Sequence, residues 1–476
     1  MRGELSIQGS VPAASGAERV LGWIERSIAA GLFVLAVYLA TTEPLNWFPY
    51  VAAGIAGTAM LLVRWPYGAL LTLMVAAAIP RFSMTISKWH TEAEHLTLFV
   101  CGVLLLMRLH RGTQRWKRLE RADFLLIGFL AMNYVSSFVD SPDRAATLRW
   151  ALLQTIAISA FFLIRQLIDN ERQFLRSMKI LLCVGAGEAL FGFFCFASFL
   201  LFRTSLGVTQ FSYLSFMPGV HGSQWEPNIF GSYTACFAVM FLFYFFAARQ
   251  NNGWYLLGFL ISTLAVLLSL ARQGWACVAI VGPLIVFQTH RGKAIQWKRL
   301  APFAAGVVIA LVAAITLMRD LPERLATLAV STAVEDPTVV HRLKFLAFAV
   351  DDIRAHPLIG LGTSSFQLLY TDEDDFGEGP AWLGSLFVRI VHDTGLVGLA
   401  VYFWFLSHLA RRAWRILRSP IRSETDIAVG ALSAGVIVML MAYQLTDAST
   451  LAFTWIHFGM LATSLGFAEV GSAISR

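Results

Sequence analysis

The sequence contains few charged residues, and their scarcity excludes most classes of soluble protein. Only 14% of the 476 residues are Asp, Glu, Lys or Arg, whereas 57% are hydrophobic. A typical soluble domain is about 25% charged. Apolar runs of roughly 20 residues, the length that spans the hydrocarbon core of a bilayer, recur along the chain. The composition therefore predicts an all-α polytopic membrane protein.

Cysteine is also scarce, and its placement excludes a disulfide framework and a cysteine metal site. All five cysteines fall inside apolar runs without metal-ligand spacing, so we interpret them as small core residues: Cys101, Cys183, Cys195, Cys236 and Cys277. The net charge of +7 does not predict binding to nucleic acid, because the basic residues lie in short loops between spans. Residues 1–20 lack the pattern of a cleaved signal peptide, and we expect the first span to serve as an uncleaved one.

Fourteen apolar runs are predicted to be transmembrane helices. They cover approximately residues 27–43, 46–63, 67–86, 93–108, 122–139, 149–166, 178–202, 227–248, 254–271, 274–289, 300–318, 383–409, 427–445 and 449–468. Lys and Arg collect in the loops that follow spans four, ten and twelve. Cytoplasmic loops carry an excess of these residues, so the pattern places both termini in the cytoplasm and the odd-to-even loops outside. The predicted organisation is transmembrane helices 1–11 over 1–318, an external loop subdomain over 319–382, and transmembrane helices 12–14 over 383–476.

Two of the outer connections are long, namely 203–226 and 319–382. Long loops in a compact bundle are usually functional lids or binding elements. Within the second segment, residues 338–355 alternate apolar and charged residues at roughly helical spacing. This pattern predicts an amphipathic helix that lies on the membrane domain.

The stretch 221–231, H-G-S-Q-W-E-P-N-I-F-G, concentrates polar and aromatic residues between two apolar runs. Proline is tolerated in the first turn of a helix, so Pro227 is expected to start span eight with Glu226 as its N-cap. Glu226 is a candidate proton acceptor for a substrate hydroxyl. The alternative is that it only caps the helix and compensates its dipole. Three neighbouring residues are candidates for binding substrate beside it: His221, Trp225 and Asn228.

Arg272, in S-L-A-R-Q-G-W, interrupts an almost unbroken apolar stretch between spans nine and ten. It lies on the outer side of the predicted topology, where it does not act as an orientation signal. Arginine binds phosphate through a planar fork and keeps its charge at neutral pH. Arg272 is therefore a candidate phosphate-binding residue, with a snorkelling arginine at a helix end as the alternative.

Further ionisable residues lie near or within the predicted membrane depth, where they are costly and typical of functional sites. Arg342 falls near the start of the amphipathic helix. Arg389 lies in the first two turns of span twelve, with His392 three residues on and thus on the same helical face. For Arg389 the alternative is pairing with a nearby acid. Glu188, near the middle of span seven, is either a structural ion-pair partner or a protonated, hydrogen-bonded acid.

Four local patterns, taken together, resemble the O-antigen ligase and O-antigen polymerase superfamily of bacterial envelope glycosyltransferases. They are E-P-N-I-F-G at 226–231, S-L-A-R-Q-G-W at 269–275, R-A-H-P-L-I-G-L-G-T-S-S-F at 354–366, and H-D-T-G-L-V-G-L at 392–399. They occur in the family's order, and the third lies in a long outer loop, as it does in the family. The resemblance covers roughly residues 180–465, whereas the first six spans show only hydrophobicity.

The resemblance implies a GT-C-like membrane fold and a metal-independent reaction, without a cofactor, on the periplasmic face of the bacterial inner membrane. A glycan linked to undecaprenyl diphosphate is transferred to a hydroxyl of an acceptor glycan or glycolipid. Arg272 matches the family's arginine after span nine, and Arg342 resembles one in the large outer loop. The expected partners are these two substrates and the lipid bilayer. Other polysaccharide-assembly proteins are candidate partners, and nucleic acid is not one.

The sequence departs from the ligase pattern at one position. Ligases typically carry His-Asn eleven residues before the glycine that is Gly395 here, and this chain has Gly384-Ser385. The resemblance therefore favours a polymerase of undecaprenyl-diphosphate-linked oligosaccharides, with an O-antigen ligase as the alternative within the family. A lipid-linked oligosaccharide flippase or a transporter is the alternative from another class. Transporters usually show related halves and midplane sites, whereas this chain shows no such halves and its polar candidates gather at the outer ends of spans.

The hypothesis assigns roles to the candidate residues. The general base is Glu226, with His392 or His221 as alternatives. The diphosphate is bound by Arg272 together with Arg342 or Arg389.

Overall fold

The computed structural model describes residues 66–80, 83–86, 89–112, 115–209, 218–248, 252–289, 337–374 and 377–474. The chain divides into two compact units, Met1–Thr72 and Leu73–Arg476, and all the candidate site residues lie in the second. The predicted spans at 27–43, 46–63 and 300–318 lie outside the described residues.

Helices dominate the described residues. They are α1 Pro66–Ala78, α2 Ala93–His110, α3 Arg121–Val139, α4 Arg144–Leu167, α5 Glu171–Phe202, α6 Pro227–Ala247, α7 Asn252–Leu268, α8 Arg272–Thr289, α9 Pro337–Ala355, α10 Phe366–Leu369, α11 Leu386–Leu417, α12 Glu424–Ala442 and α13 Ala452–Ile474. Short antiparallel strand pairs lie in the connections: β1 Ser83–Ile86 with β2 Trp89–Glu92, β3 Val208–Thr209 with β4 Gly219–Val220, and β5 Thr371–Asp374 with β6 Gly377–Pro380. Each pair joins only two strands, so the helices carry the architecture.

Each of the eleven predicted spans that fall within the described residues contains an α-helix. Six of these helices are long and apolar enough to cross a membrane, namely α3, α4, α5, α6, α11 and α12. The chain is therefore a helical multi-pass membrane protein, as predicted, and the count of fourteen spans stays a prediction. The helix predicted at 338–355 is confirmed as α9, whereas its predicted position on the membrane domain stays a prediction.

One predicted boundary was wrong. The span predicted at 67–86 is helical only to Ala78, and its last four residues form strand β1. Pro80 explains the early end of the helix. Proline has no backbone N–H to continue a helix, and it disfavours the helical conformation of the residue before it.

Helix α6 is the central helix of the described bundle. In the most hydrophobic part of α6, 94% of the residues are buried. The helix packs against α5, α7, α8 and α12. A helix that is apolar on every face is typical of such complete burial. Its N-terminus therefore brings Glu226 to a point where the ends of several helices meet.

Ion pairs join the helices at the opposite end of the bundle. Arg412 of α11 lies 2.8 Å from Glu120, which precedes α3, and 2.8 Å from Glu469 of α13. Arg165 of α4 also binds Glu120, at 2.9 Å. The loops after predicted spans four and twelve thus lie at the same end of the bundle, which agrees with the distribution of Lys and Arg.

Helix α11 is kinked at Gly395, where φ is +67°. The kink leaves the carbonyls of His392 and Asp393 without helical partners, and two amides of the loop 356–365 donate to them at 2.9 and 3.0 Å. In return, two amides beyond the kink donate to carbonyls of the same loop. Buried backbone groups need such partners, so this loop and the kinked helix form one structural unit.

Candidate functional site

Glu226 occupies the N-cap position of α6, directly before Pro227, as the sequence predicts. Its side chain makes no capping hydrogen bond. Instead, Oε1 accepts a hydrogen bond from the Thr446 hydroxyl at 2.8 Å. Burial raises the pKa of the Glu226 carboxyl, whereas the Thr446 hydrogen bond and the positive charge of Arg342 lower it. The carboxylate is thus directed at the turn between α12 and α13 rather than at its own helix.

The turn that leads into α6 is held by Glu188 of α5. The Ser223 amide donates to Glu188 Oε1 at 2.9 Å, and the Ser223 hydroxyl donates to Oε2 at 2.8 Å. Glu188 therefore anchors the turn as a hydrogen-bond acceptor. The two predicted substrate-binding aromatic residues differ, because His221 is buried in this turn whereas Trp225 is 37% exposed.

The first turns of α6 and α8 meet through two glycines. A Cβ on Gly274 would lie 3.0 Å from the Gly231 carbonyl oxygen, and a Cβ on Gly231 would overlap Ala271. Beside this contact, Asn228 Oδ1 accepts a hydrogen bond from Gln273 Nε2 at 2.9 Å. The patterns E-P-N-I-F-G and S-L-A-R-Q-G-W are therefore two sides of one close helix contact.

Arg272 is the first residue of α8, and its side chain is exposed. It follows the turn at 269–271, which was predicted to be the last part of span nine. The next residue, Gln273, binds Asn228, which lies two residues after Glu226. The structure therefore places the starts of α6 and α8 side by side, with Glu226 and Arg272 at these adjoining helix ends.

Arg389 of α11 reaches the same turn as Glu226. Its Nε lies 2.6 Å from Asp447 Oδ2, and its Nη2 donates to Ser449 Oγ at 2.6 Å. Both members of the ion pair are largely buried, with 12% and 6% of their side chains exposed. This geometry matches the alternative interpretation of Arg389, in which a nearby acid pairs with it.

His392 is enclosed, with 0% of its side chain exposed. Nε2 lies 3.1 Å from Asp352 Oδ2 on α9, and Nδ1 lies 3.4 Å from Asp393 Oδ1. Arg389 and His392 therefore contact different parts of the molecule, although they lie three residues apart on α11. The position of His392 suits a tether between α9 and the kinked helix.

Polar residues of α3 hold the loop 356–365 from the other side. The Gly362 amide donates to Ser136 Oγ at 2.8 Å, and the Thr363 amide donates to Ser137 Oγ at 3.0 Å. The Thr363 hydroxyl donates to Asn133 Oδ1 at 3.0 Å. The sequence analysis did not assign these α3 residues, although their spacing places them on one helical face.

The turn 446–449 was also missed by the sequence analysis. Thr446 binds Glu226, while Asp447 and Ser449 bind Arg389. The turn thus connects two candidate residues that are 163 positions apart in the numbering. One feature of the sequence could have identified this turn. An acid, Asp447, lies in the short outer connection predicted between spans thirteen and fourteen.

Gly384 and Ser385, at the place where ligases typically carry His-Asn, lie against the C-terminal end of α12. A Cβ on Gly384 would lie 3.2 Å from the Leu445 carbonyl oxygen. The Ser385 hydroxyl donates to Gln444 Oε1 at 3.3 Å. A large side chain at position 384 would press on this backbone, so the position is a close backbone contact in this chain.

The arrangement at the start of α6 suits proton transfer next to a developing negative charge. A carboxylate whose pKa is raised by burial is a stronger base than an ordinary carboxylate. Arginine side chains stabilise an anionic leaving group, and Arg342 already acts electrostatically on Glu226. In the part of the chain that the structure describes, no group of three or more His, Cys, Asp or Glu residues is placed to hold a metal ion.

The long apolar helices of the described bundle define a multi-pass membrane protein. Residues 257–403 match the family model described as O-antigen ligase. The match confirms the resemblance to the O-antigen ligase and polymerase superfamily, and it supports a membrane glycan-processing function. The matched region includes Arg272 and Arg342 and begins after Glu226. No curated protein matches the chain at a significant level.

Proposed function

We propose that this chain is an inner-membrane glycosyltransferase that polymerises an undecaprenyl-diphosphate-linked oligosaccharide on the periplasmic face. The observation that carries the proposal is that the starts of α6 and α8, which carry Glu226 and Arg272, lie side by side, while the charge of Arg342 acts on Glu226. The family match at 257–403 supports the glycan-processing class.

In the proposed reaction Glu226 accepts the proton of the acceptor hydroxyl. The hydroxyl oxygen forms a bond to the anomeric carbon of the donor sugar. The bond from that carbon to the diphosphate oxygen breaks, and the diphosphate leaves with the electron pair. Arg272 and Arg342 stabilise the negative charge that develops on the diphosphate. The scheme is metal-independent, as the family resemblance implies.

Three further residues have supporting roles in the proposal. Trp225, which is partly exposed beside Glu226, offers a flat surface for the apolar face of a sugar. Asn228 is held by Gln273 and orients a substrate hydroxyl, whereas buried His221 shapes the turn. The described residues 337–374 of the outer segment, which contain Arg342, cover the donor in this proposal and exclude water, which limits hydrolysis.

Ligation to a glycolipid is the second candidate function, because the matching family model carries the description O-antigen ligase. Both reactions use the same donor and the same leaving group, so the site at Glu226 and Arg272 would serve either. The surroundings of Gly384 favour the polymerase. A Cβ added at this glycine would lie 3.2 Å from the Leu445 carbonyl oxygen. This contact leaves little room for the histidine that the resemblance associates with ligases.

The test of the site is Arg272→Ala, with Arg144→Ala as the matched control. Both arginines are exposed first residues of helices, α8 and α4. Loss of a transition-state cation is expected to reduce polymer formation by about 100-fold to 1,000-fold. The readouts are polymer length and amount on gels and the membrane level of the protein by immunoblot. Normal polymer from Arg272→Ala, at normal protein level, would overturn the diphosphate role.

The choice of function is tested by removing the gene and isolating the undecaprenyl-linked intermediate that accumulates. A polymerase leaves single repeat units on the lipid, whereas a ligase leaves finished chains. Purified protein in detergent separates these enzymes from the flippase alternative. Turnover of a lipid-linked donor without a membrane is expected, and its absence in an otherwise folded preparation would favour transport.

A further inference from the structure

A cavity of about 390 Å³ opens at the far end of α6 from Glu226. Residues of α5, α6, α7 and the start of α12 line it, including Tyr244, Ala247 and Tyr255. Helix α6 has 21 residues, so the cavity lies about 30 Å from the candidate active site. This distance is close to the thickness of the hydrocarbon core of a bilayer. The cavity is therefore a second feature at the opposite membrane boundary.

The walls of the cavity are fixed by contacts between helices. The rings of Tyr244 and Tyr255 stack with centroids 4.9 Å apart, which joins α6 to α7. The Thr425 hydroxyl of α12 donates to Glu171 of α5. Ser423 and Asp426 form a capping box that fixes the start of α12. The space is thus enclosed by ordered helix ends.

Two basic residues and one acidic residue line this cavity. Lys179 and Arg422 line it from opposite elements, α5 and the loop before α12. Arg172 and Arg176 precede Lys179 at helical spacing and extend the basic face of α5. The acidic lining residue, Glu424, lies in the first turn of α12, where the helix dipole compensates negative charge. The lining is therefore suited to an anion.

Apolar surface continues from the mouth of the cavity along α7. Trp254, beside Tyr255, is 45% exposed, and Leu257 is 49% exposed one turn further. A tryptophan at a helix end is typical of the boundary between water and lipid. Basic pockets between transmembrane helices bind the head groups of anionic lipids. The combination of an anion-binding cavity with adjoining apolar surface fits a lipid better than a free ion.

We propose that this cavity is a binding site for the phosphodiester head group of an anionic glycerophospholipid. The phosphate lies between Lys179 and Arg422, and the acyl chains lie along the exposed face of α7. The site is separate from the proposed glycosyl transfer, and it fixes the end of the bundle opposite Glu226 to the bilayer.

The experiment is native mass spectrometry of the full-length protein, purified in detergent, with phosphatidylglycerol and with phosphatidylcholine as probes. The wild-type protein is expected to retain phosphatidylglycerol in preference to phosphatidylcholine. Lys179→Ala with Arg422→Ala is expected to reduce this retention by about 30-fold, since each of the two basic residues contributes about 1 kcal/mol to anionic lipid binding. The matched control, Lys344→Ala with Arg354→Ala, removes the same charges from exposed positions on α9.

A second variant keeps every charge and fills the cavity. Ala247→Phe places a ring at a lining position and is expected to reduce retention of phosphatidylglycerol while the protein remains monodisperse. Equal retention by the wild-type protein, the double variant and Ala247→Phe would overturn the site. Displacement of the lipid by inorganic phosphate at equal concentration would assign the cavity to free phosphate and overturn the lipid proposal.

Discussion

The four sequence patterns meet as two pairs in this molecule, 226–231 with 269–275 and 354–366 with 392–399. The two pairs differ in how far their polar side chains are exposed. At the contact of α6 with α8, Arg272 and Trp225 are exposed and the Glu226 carboxylate is half-buried. At the contact of the loop 356–365 with kinked α11, His392 and Asp393 are buried. The first contact is made by close approach of glycines, and the second by backbone hydrogen bonds across a broken helix.

The difference separates residues that can meet a substrate from residues that hold the scaffold. At the first contact Arg272 and Trp225 are exposed, so in the proposed function they are available to a substrate. A polar side chain at the second contact is already satisfied by protein groups, as in Ser364 N to Asp393 Oδ2 at 2.8 Å. In the proposed function, patterns that together resemble one family therefore divide into a chemical pair, at the contact of α6 with α8, and an architectural pair, at kinked α11.

The largest expected effect is at the architectural pair. Gly395 has φ +67° and ψ −174°, a region that is essentially restricted to glycine. Gly395→Ala would also drive a Cβ into the Leu358 carbonyl, so we expect destabilisation by more than about 3 kcal/mol. The measurement is the thermal unfolding midpoint in detergent. Gly187→Ala on α5, where an added Cβ meets no atom within 4 Å, should leave that midpoint unchanged or slightly higher.

The next effect is at the chemical pair. Glu226→Gln keeps the shape of the side chain but removes its ability to accept a proton. We expect polymerisation to fall by about 100-fold or more, with an unchanged unfolding midpoint. Asp143→Asn, at the N-cap of α4 where both residues cap equally well, is the control for replacing an acid by its amide. Full activity of Glu226→Gln would transfer the role of base to another group.

His392→Asn is expected to give the opposite result to Glu226→Gln, namely lower stability with nearly unchanged activity. The variant weakens the tether to Asp352 on α9 and is expected to lower stability by about 1–3 kcal/mol. Activity per folded molecule should stay near that of the wild-type protein. The measurement pairs donor turnover with a count of folded protein by size-exclusion chromatography. A loss of turnover with unchanged stability would instead make His392 the base.

The smallest effect is a shift in pH dependence. The Thr446 hydrogen bond lowers the pKa of Glu226 by stabilising the carboxylate. Thr446→Val removes this donor, so the pKa of Glu226 rises and the acidic limb of the kcat/KM profile moves to higher pH. Thr463→Val is the control, because its hydroxyl bonds only a carbonyl of its own helix. An unmoved acidic limb would show that Glu226 does not set it.

The sequence was sufficient to predict the helices and to predict which loops lie at the same end of the bundle. Apolar runs predict spans because the bilayer demands satisfied backbone over a fixed length. The charge pattern correctly placed the loops after spans four and twelve together, as the contact of Arg412 with Glu120 confirms. The early end of α1 was missed because the predicted span was extended to Ile86, although Pro80 and Arg81 both interrupt the apolar run.

The candidate site was only partly predictable. The sequence pointed to Glu226 and Arg272 because each is a polar interruption at the end of an apolar run. It did not identify Thr446 or Asp447, because their partners are distant in the chain and periodicity carries no information about such contacts. The shared face predicted for Arg389 and His392 did not reveal that they bind different elements, since helical spacing alone does not specify partners.

The kink at Gly395 also constrains how the protein is assembled in the membrane. A transmembrane helix normally enters the bilayer with all its backbone groups satisfied within itself. Helix α11 depends on the loop 356–365 and on α3, which is joined to that loop through Ser136. Both partners precede α11 in the chain and are synthesised before it. Insertion of this helix is therefore tied to the order of translation, with its docking surface complete by the time it leaves the ribosome.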